Sequence, residues 1–575
     1  MAWPVGARAI TLAMTDSRLE QLFRGGWRAP LFAALVALAA ALPGAIMLPA
    51  TDRDEARFAQ ATAQMLETKD LVSINFQDQP RFKKPVGIHW LQALSVSALS
   101  SVEKREIWAY RIPSLLGAMA AAAACAWGAA AFWGARGGAI AGAILGASLI
   151  LSTEGMIATT DAALCGAVTA AMAALARTYA ASREETVARV GTRVVFWSGL
   201  ALSMLLKGPI GPMVVLLAGA ALWIWDRRAP WLPKLGWTWG IALILLIVGP
   251  WALAITVATD GAFWSGAVMG DMASKLVSGQ ESHWAPPGLH TLLSPLLLFP
   301  ATALLPAALI GAWKGRASTG VRFALCWLVP AWIVFELAPT KLPHYPLPLY
   351  GALAWLCVAA LDQPMGRLTR AAGAALAVLA GAALAAAGVY LSTAYRGPGS
   401  LPSAAAGAAL MLASAVTGAV LIWLRQRPVA ALAAAGGLAM LGHGVLTAAV
   451  APSLKPLWIA RRTATALHHM NLDPRNGVIR GPVAVAGYPE PSMVFLLGTR
   501  TELGDGEVAA AAIADGRPAV VDVAQTSQFF EALKAQEARA APVAEVKGLN
   551  YSKGKPVDLI LYRSLETGDQ SGGQQ

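Results

Sequence analysis

Residues 29–58 read APLFAALVALAAALPGAIMLPATDRDEARF. The part 29–49 carries no charge and is long enough to cross a bilayer, which takes about 20 apolar residues. The chain then turns abruptly polar at Thr51-Asp52-Arg53-Asp54-Glu55-Ala56-Arg57-Phe58. An uncharged span opening onto a dense charged loop predicts a membrane helix with polar chemistry at its mouth. Outward from this stretch the same alternation repeats.

Further apolar stretches fall at 109–133, 138–153, 158–180, 194–206, 210–225, 236–257, 288–312, 321–338, 345–361, 371–393, 402–424 and 429–452. With the first they make roughly thirteen spans. The chain is 56% hydrophobic and 14% charged, against about 25% charged in a soluble domain. The fold class expected is therefore an α-helical polytopic membrane protein. Ala and Gly dominate the spans, as close helix packing in lipid favours.

The net charge of +12 is unevenly distributed. Arg8, Arg18, Arg24 and Arg28 precede the first span, and every second loop after it is basic: Arg136, then Arg183, Arg189 and Arg193, then Arg227, Arg228 and Lys234, then Lys314, Arg316 and Arg322, then Arg367 and Arg370, then Arg425 and Arg427. Excess Lys and Arg mark cytoplasmic loops, so the basicity reports topology and gives no reason to expect a nucleic-acid partner. Roughly thirty residues precede the first span, too long a lead for a cleavable signal. The four cysteines lie in or beside spans, and no disulfide is expected.

Three regions follow: a cytoplasmic lead (1–28), a membrane domain (29–452) interrupted by the long loop 50–108, and a polar tail (453–575) on the outer side. In the loop, Asp52 with Glu55 suits a capping box, opening a helix to about Glu67. A second amphipathic helix spans Val86 to Leu99, with Trp90 suited to the membrane interface, and both helices are expected to lie on the outer leaflet. The tail reads as a small soluble α/β unit. Its strand-like runs are Val483–Ala486, Met493–Leu497, Ala519–Val523 and Leu559–Tyr562, with a helix over Gln525–Ala538 and a disordered end from Thr567.

Nearly all residues with chemical potential fall in loops on the outer side. Adjacent helical residues point about 100° apart, so Asp54 and Glu55 cannot act as a facing pair. Asp54 shares a face with Arg57 and Phe58. Both acids also suit a helix start through the dipole. A second outer acid, Asp161, favours a site, because a carboxylate at the membrane surface can act as general base on a hydroxyl. Lys83, Lys84, Lys207 and Lys341 oppose the charge bias of their side, and holding a phosphate would account for them. Tyr345 can donate to such a phosphate or anchor its span. His344 and His283 are the histidines best situated for a site. No His or Cys spacing marks a structural zinc centre, and a divalent metal ion at the histidines stays open as an alternative to no cofactor. There is no P-loop, dinucleotide fingerprint or nucleophile elbow, so energy must arrive in an activated substrate.

At these residues the chain resembles the C-type, polyprenyl-phosphate-sugar-dependent membrane glycosyltransferases, the group of the protein O-mannosyltransferases and lipid A aminoarabinose transferases. The resemblance runs through Arg53–Phe58, Phe82-Lys83-Lys84-Pro85-Val86, Thr160-Asp161, Lys207-Gly208, His283-Trp284-Ala285-Pro286-Pro287 and Lys341–Pro348, in the same order along the chain. Gly487–Ser492 and Asn550-Tyr551-Ser552 in the tail are similar to bacterial members. The resemblance implies the fold of that family. It also implies an inner-membrane enzyme, with site and tail facing the periplasm, that moves a sugar from undecaprenyl phosphate to lipid A or another envelope glycolipid. Asp54 matches the catalytic acid as general base, with Asp161 as second acid, and Glu55 of the acidic pair is the third catalytic candidate. Arg57, Lys84, Lys207, Lys341 and Tyr345 match the holders of the carrier phosphate. Lys83 departs from the aminoarabinose enzymes, which have an acid before the motif lysine. Protein hydroxyls are the alternative acceptor. A transporter or lipid flippase is the rival from another class, and Glu336 is the intramembrane acid it would use.

Overall fold

Alanine-rich runs propagate as helices because Ala loses no side-chain entropy on entering one. The computed structural model describes residues 20–184, 186–267, 270, 284–361, 363–395, 397, 400–424 and 428–565. Among them nine helices are long and apolar enough to cross a membrane, from Arg28–Met47 to Leu432–Ser453. The bent pair Leu289–Leu297 and Ala301–Lys314 makes a tenth if it is one span.

The helix Ile107–Gly146 has 40 residues, about 60 Å at 1.5 Å per residue and twice the hydrocarbon thickness. It breaks at Trp133–Gly134, where Gly134 takes φ 67°, a value open to glycine because it lacks a Cβ. Beyond the break the chain folds back on itself: Gly138 and Gly142 lie against the carbonyls of Ala126 and Ala122. Two shorter apolar helices, Ile210–Asp226 and Leu347–Leu361, fill the remaining expected positions. Each apolar stretch read from the sequence therefore has a helix, and the chain is a multi-pass membrane protein.

Small residues set the approach of the elements that carry the polar loops. A Cβ on Gly117 would come within 2.5 Å of the Ala163 nitrogen, and one on Gly87 within 2.6 Å of the Leu205 carbonyl oxygen. The first contact seats the helix Asp161–Arg183. The second seats Gly87–Leu99 on the end of Val190–Lys207.

The long loop folds as expected into two helices, Asp54–Thr68 and Gly87–Leu99, joined by a two-residue ribbon pairing Asn75–Phe76 with Gln79–Pro80. Its first helix does not lie open on a surface. Phe58, Ala59, Gln60, Thr62, Ala63 and Met65 are all buried, because the bundle packs on one side and the tail docks on the other. A buried network ties the two helices together: Thr62 donates to Gln92 Oε1 at 2.7 Å and meets His89 Nδ1 at 2.8 Å. Burial, with Arg81 and Lys84 nearby, depresses the His89 pKa to about 3, which keeps the ring neutral.

The tail forms a five-stranded sheet in the order Glu502–Gly504, Ala484–Ala486, Ala519–Asp522, Lys555–Ser564, Ala540–Asn550. The first three strands are parallel and the last pairings antiparallel. Met493–Leu497, expected as a strand, lies in the helix Pro491–Leu497. A five-residue apolar run has no readable period, and Pro491 at the first helical position decides it.

Candidate active site

Five segments bring their polar residues together. Asp54 opens the helix Asp54–Thr68, where the dipole favours a carboxylate. Its side chain is 56% exposed and lies 3.7 Å from Arg57. Burial pushes its pKa up, but Lys84, Arg81 and Arg57 outweigh that and hold the carboxyl below the ordinary aspartate value. Arg81 and Lys84 sit over the Phe58 ring at 4.9 and 5.1 Å, a geometry worth about 0.5–1 kcal/mol or more once desolvated.

Asp161 begins the helix Asp161–Arg183 and accepts a charged hydrogen bond from Lys207, the last residue of Val190–Lys207. His344 bridges two acids, with Nε2 3.8 Å from Asp161 and Nδ1 3.4 Å from Glu154. Lys207 Nζ also stands 5.1 Å over the Tyr345 ring. Asp161 is close enough to Asp54 to act on its acidity, so both acids belong to one site.

Part of this set lines a groove of 210 Å³. Lys83, Lys84, Lys207 and Tyr345 line it together with Leu164, Met213, Phe263, Trp264, Val334 and Phe335. A second, wider depression of 490 Å³ adjoins it through Lys83 and is lined also by Arg57 and Arg81.

Two residues expected in the chemistry have other work. Glu55 is 1% exposed. Its Oε1 accepts from Arg111 Nε and from the Ala158 amide, both at 2.7 Å, and its Oε2 accepts from Arg111, the Thr51 amide and the Thr51 hydroxyl. With both oxygens filled, it is a structural anchor and has no lone pair left for substrate. The expected capping box also shifts, since Glu55 returns to Thr51 and leaves Asp52 aside. Lys341 donates to the carbonyls of Ala285 at 2.8 Å and Ala338 at 2.6 Å. It pins one loop to another and does not line the groove. His283 lies outside the described residues. Glu336 accepts from the Gly288 and Thr291 amides at 2.8 Å each. It caps the helix Leu289–Leu297, a structural duty that accounts for this acid without transport.

Sequence reasoning missed Glu154 and the aromatic pair Phe263–Trp264. Glu154 had one signal, an acid at the outer end of an apolar stretch. Among the described residues no cluster of three His, Cys, Asp or Glu side chains is arranged to hold a metal.

The bundle with its loop helices and docked sheet is the fold of the C-type membrane glycosyltransferases. No family model matches the chain. Its fold matches the crystal structure of ArnT from Cupriavidus metallidurans bound to undecaprenyl phosphate, with TM-score 0.71 and 18% identity over 92% of this chain and 97% of that one. The Archaeoglobus fulgidus oligosaccharyltransferase matches more distantly, with TM-score 0.51 and 10% identity over 90% of this chain and 70% of that one. In sequence the chain is 28% identical over 310 residues to the undecaprenyl phosphate-alpha-4-amino-4-deoxy-L-arabinose arabinosyl transferase of Erwinia tasmaniensis, covering 53% of this chain and 54% of that protein. It is 28% identical over 338 residues to the enzyme of the same name from Aeromonas salmonicida, covering 58% and 59%. The alignments thus span little more than half the length of these relatives. The resemblance read from the sequence is borne out.

Proposed function

We propose that this protein is a glycosyltransferase that takes a sugar from a polyprenyl-phosphate carrier and passes it to lipid A or another envelope glycolipid. The observation that carries this reading is the groove: an aromatic and aliphatic trough whose polar residues include Lys84, Lys207 and Tyr345. Its chemistry suits an amphiphile with an apolar chain and an anionic head. The relatives' names point to the same donor class. On this reading the membrane is the bacterial inner membrane, with the basic loops in the cytoplasm and the site and tail facing the periplasm, in line with the positive-inside bias. The division into a lead (1–28), a membrane domain (29–452) and a periplasmic tail (453–575) follows from that orientation.

In the reaction, the acceptor oxygen attacks the anomeric carbon while the bond from that carbon to the carrier phosphate breaks. The departing phosphate keeps the electron pair, and Lys84 and Lys207 neutralise it. The acceptor proton passes to Asp54. The cations around Asp54 make it a weak base. A bound phosphate screens them and raises its basicity where it is needed. Asp161 is committed to Lys207 and His344, so it positions the lysine and does not serve as nucleophile. One free carboxylate fits a single inverting displacement.

The test is mass spectrometry of lipid A from cells with and without the protein. A sugar-sized mass that depends on the wild type and is absent with Asp54→Asn supports the reading. Unchanged lipid A would remove that acceptor and turn the search to other envelope glycans and secreted-protein hydroxyls. Substrate movement in liposomes with no sugar transferred would overturn it in favour of a flippase.

A further inference from the structure

The residue before the proposed base has an unusual backbone. Arg53 takes φ 66° and ψ −113°, a region natural to glycine and unfavourable for a residue with a Cβ. The turn around it is gripped from two sides. On the bundle side, Glu55 binds the Thr51 amide and hydroxyl at 2.8 and 2.9 Å. On the other side every contact comes from the tail. The Asp52 amide donates to Tyr551 Oη at 2.6 Å, Tyr488 Oη donates to Asp52 Oδ2 at 3.4 Å, and Arg53 Nε lies 3.4 Å from Glu490. Glu490 is 2% exposed and is itself fixed by a 2.7 Å bond from Asn550. These tail residues come from the two segments, 487–492 and 550–552, that the transfer chemistry leaves without a role.

We propose that the tail is a positioning device for Asp54: Glu490, Tyr488 and Tyr551 hold Arg53 in its left-handed conformation and thereby fix the Asp54 carboxylate at the head of its helix, 3.7 Å from Arg57. None of the three touches substrate in this scheme, and the proposal rests on Asp54 being the base. Strained backbone persists only where its surroundings over-determine it, and here the surroundings are supplied from more than 400 residues along the chain. An ångström of misplacement can cost about 10²-fold in rate.

The test uses the full chain in detergent or nanodiscs. Glu490→Gln should lower kcat at least about tenfold with the donor KM within about twofold, because the phosphate holders are untouched. Adding Arg53→Gly should restore most of kcat, since glycine adopts this backbone without the clamp. If Glu490→Gln does not accumulate, Tyr551→Phe carries the same expectation. Hydrogen exchange at amides 52–57 should quicken in either single variant, and this reads the clamp without turnover. An inactive wild type would therefore count against the transferase reading alone. Unchanged exchange at 52–57, an unchanged kcat, or a double variant no better than Glu490→Gln would each overturn the clamp.

Discussion

The helix Asp161–Arg183 carries a charge cluster at each end, about 33 Å apart along its axis. At the outer end Asp161 meets Lys207 and His344. At the inner end Asp226 accepts from Arg183, Arg322 and the Tyr179 hydroxyl. The residue types are nearly the same, yet the ends differ in what surrounds them. The inner guanidinium groups lie over Tyr179 and Trp225 at 5.0 and 5.9 Å and share the buried Asp226 carboxylate. The outer cations line a groove and face an exposed acid. A charge cluster becomes a candidate site when its groups face open space with a shape, and otherwise it is a staple between helices.

The largest effect that could break this comparison is at Asp54. Asp54→Asn should lower kcat by about 10²–10⁴ while thermal unfolding stays within about 0.5 kcal/mol, as for an exposed change. A transfer assay beside a melting curve in the same detergent checks both. Retention of wild-type transfer would remove Asp54 as base.

Next is the anchor beneath it. Arg111→Ala leaves Glu55 charged and buried without its partner. Breaking such a pair costs about 3–5 kcal/mol, so the melting transition should fall sharply. Burial raises the Glu55 pKa, and Arg111 more than reverses this. The folded carboxyl therefore lies below the unfolded one. Its contribution is present above the unfolded pKa and fades as pH falls through the folded value. The destabilisation by Arg111→Ala should accordingly shrink on acidification below about pH 4. A loss of activity without a loss of stability would move Glu55 back into the chemistry.

A smaller effect is expected at the inner end. Asp226→Asn should cost about 1–3 kcal/mol of stability and leave kcat and KM per folded molecule within about twofold. A specific loss of kcat there would mean that the two ends are coupled, and the contrast between site and staple would fail.

The spans were legible because a bilayer fixes their length and composition, and even the hairpin within Ile107–Gly146 announces itself through charge at Arg136. That Asp54, Asp161, Lys84, Lys207 and Tyr345 share one side of the bundle was legible for the same reason. Partner identity was not. Glu55 and Lys341 looked reactive because nothing in their neighbourhoods reveals Arg111 or the carbonyls of Ala285 and Ala338. Glu154 was hidden because His344, its partner, is far along the chain. Arg53 carried no sign at all: a positive φ at a non-glycine residue is imposed by tertiary contacts, and the tail that imposes it was read only as a separate unit. Met493–Leu497 failed because five apolar residues fit a buried strand or helix equally well.

The finest discrimination lies within the outer end, between Asp52 and Asp54. The two stand two residues apart and are shifted in opposite directions. Cations hold Asp54 low, whereas burial, reinforced by Glu490, pushes Asp52 up to about 6. A carboxyl whose folded pKa exceeds its unfolded value of 3.8 takes up a proton on folding between those values. Stability from this group therefore grows as pH falls through about 6, and its charged form is a penalty at neutral pH. Full linkage over this interval gives at most about 3 kcal/mol, and water access to a partly exposed side chain reduces it to about 1 kcal/mol. Asp52→Asn should remove that penalty. The variant should melt higher than wild type at pH 7, and the gap should close by about pH 4. A variant that melts lower than wild type at pH 7, with the difference closing on acidification, would mean that Asp52 is charged and stabilising beside the docked tail, and the opposition between the two aspartates would disappear.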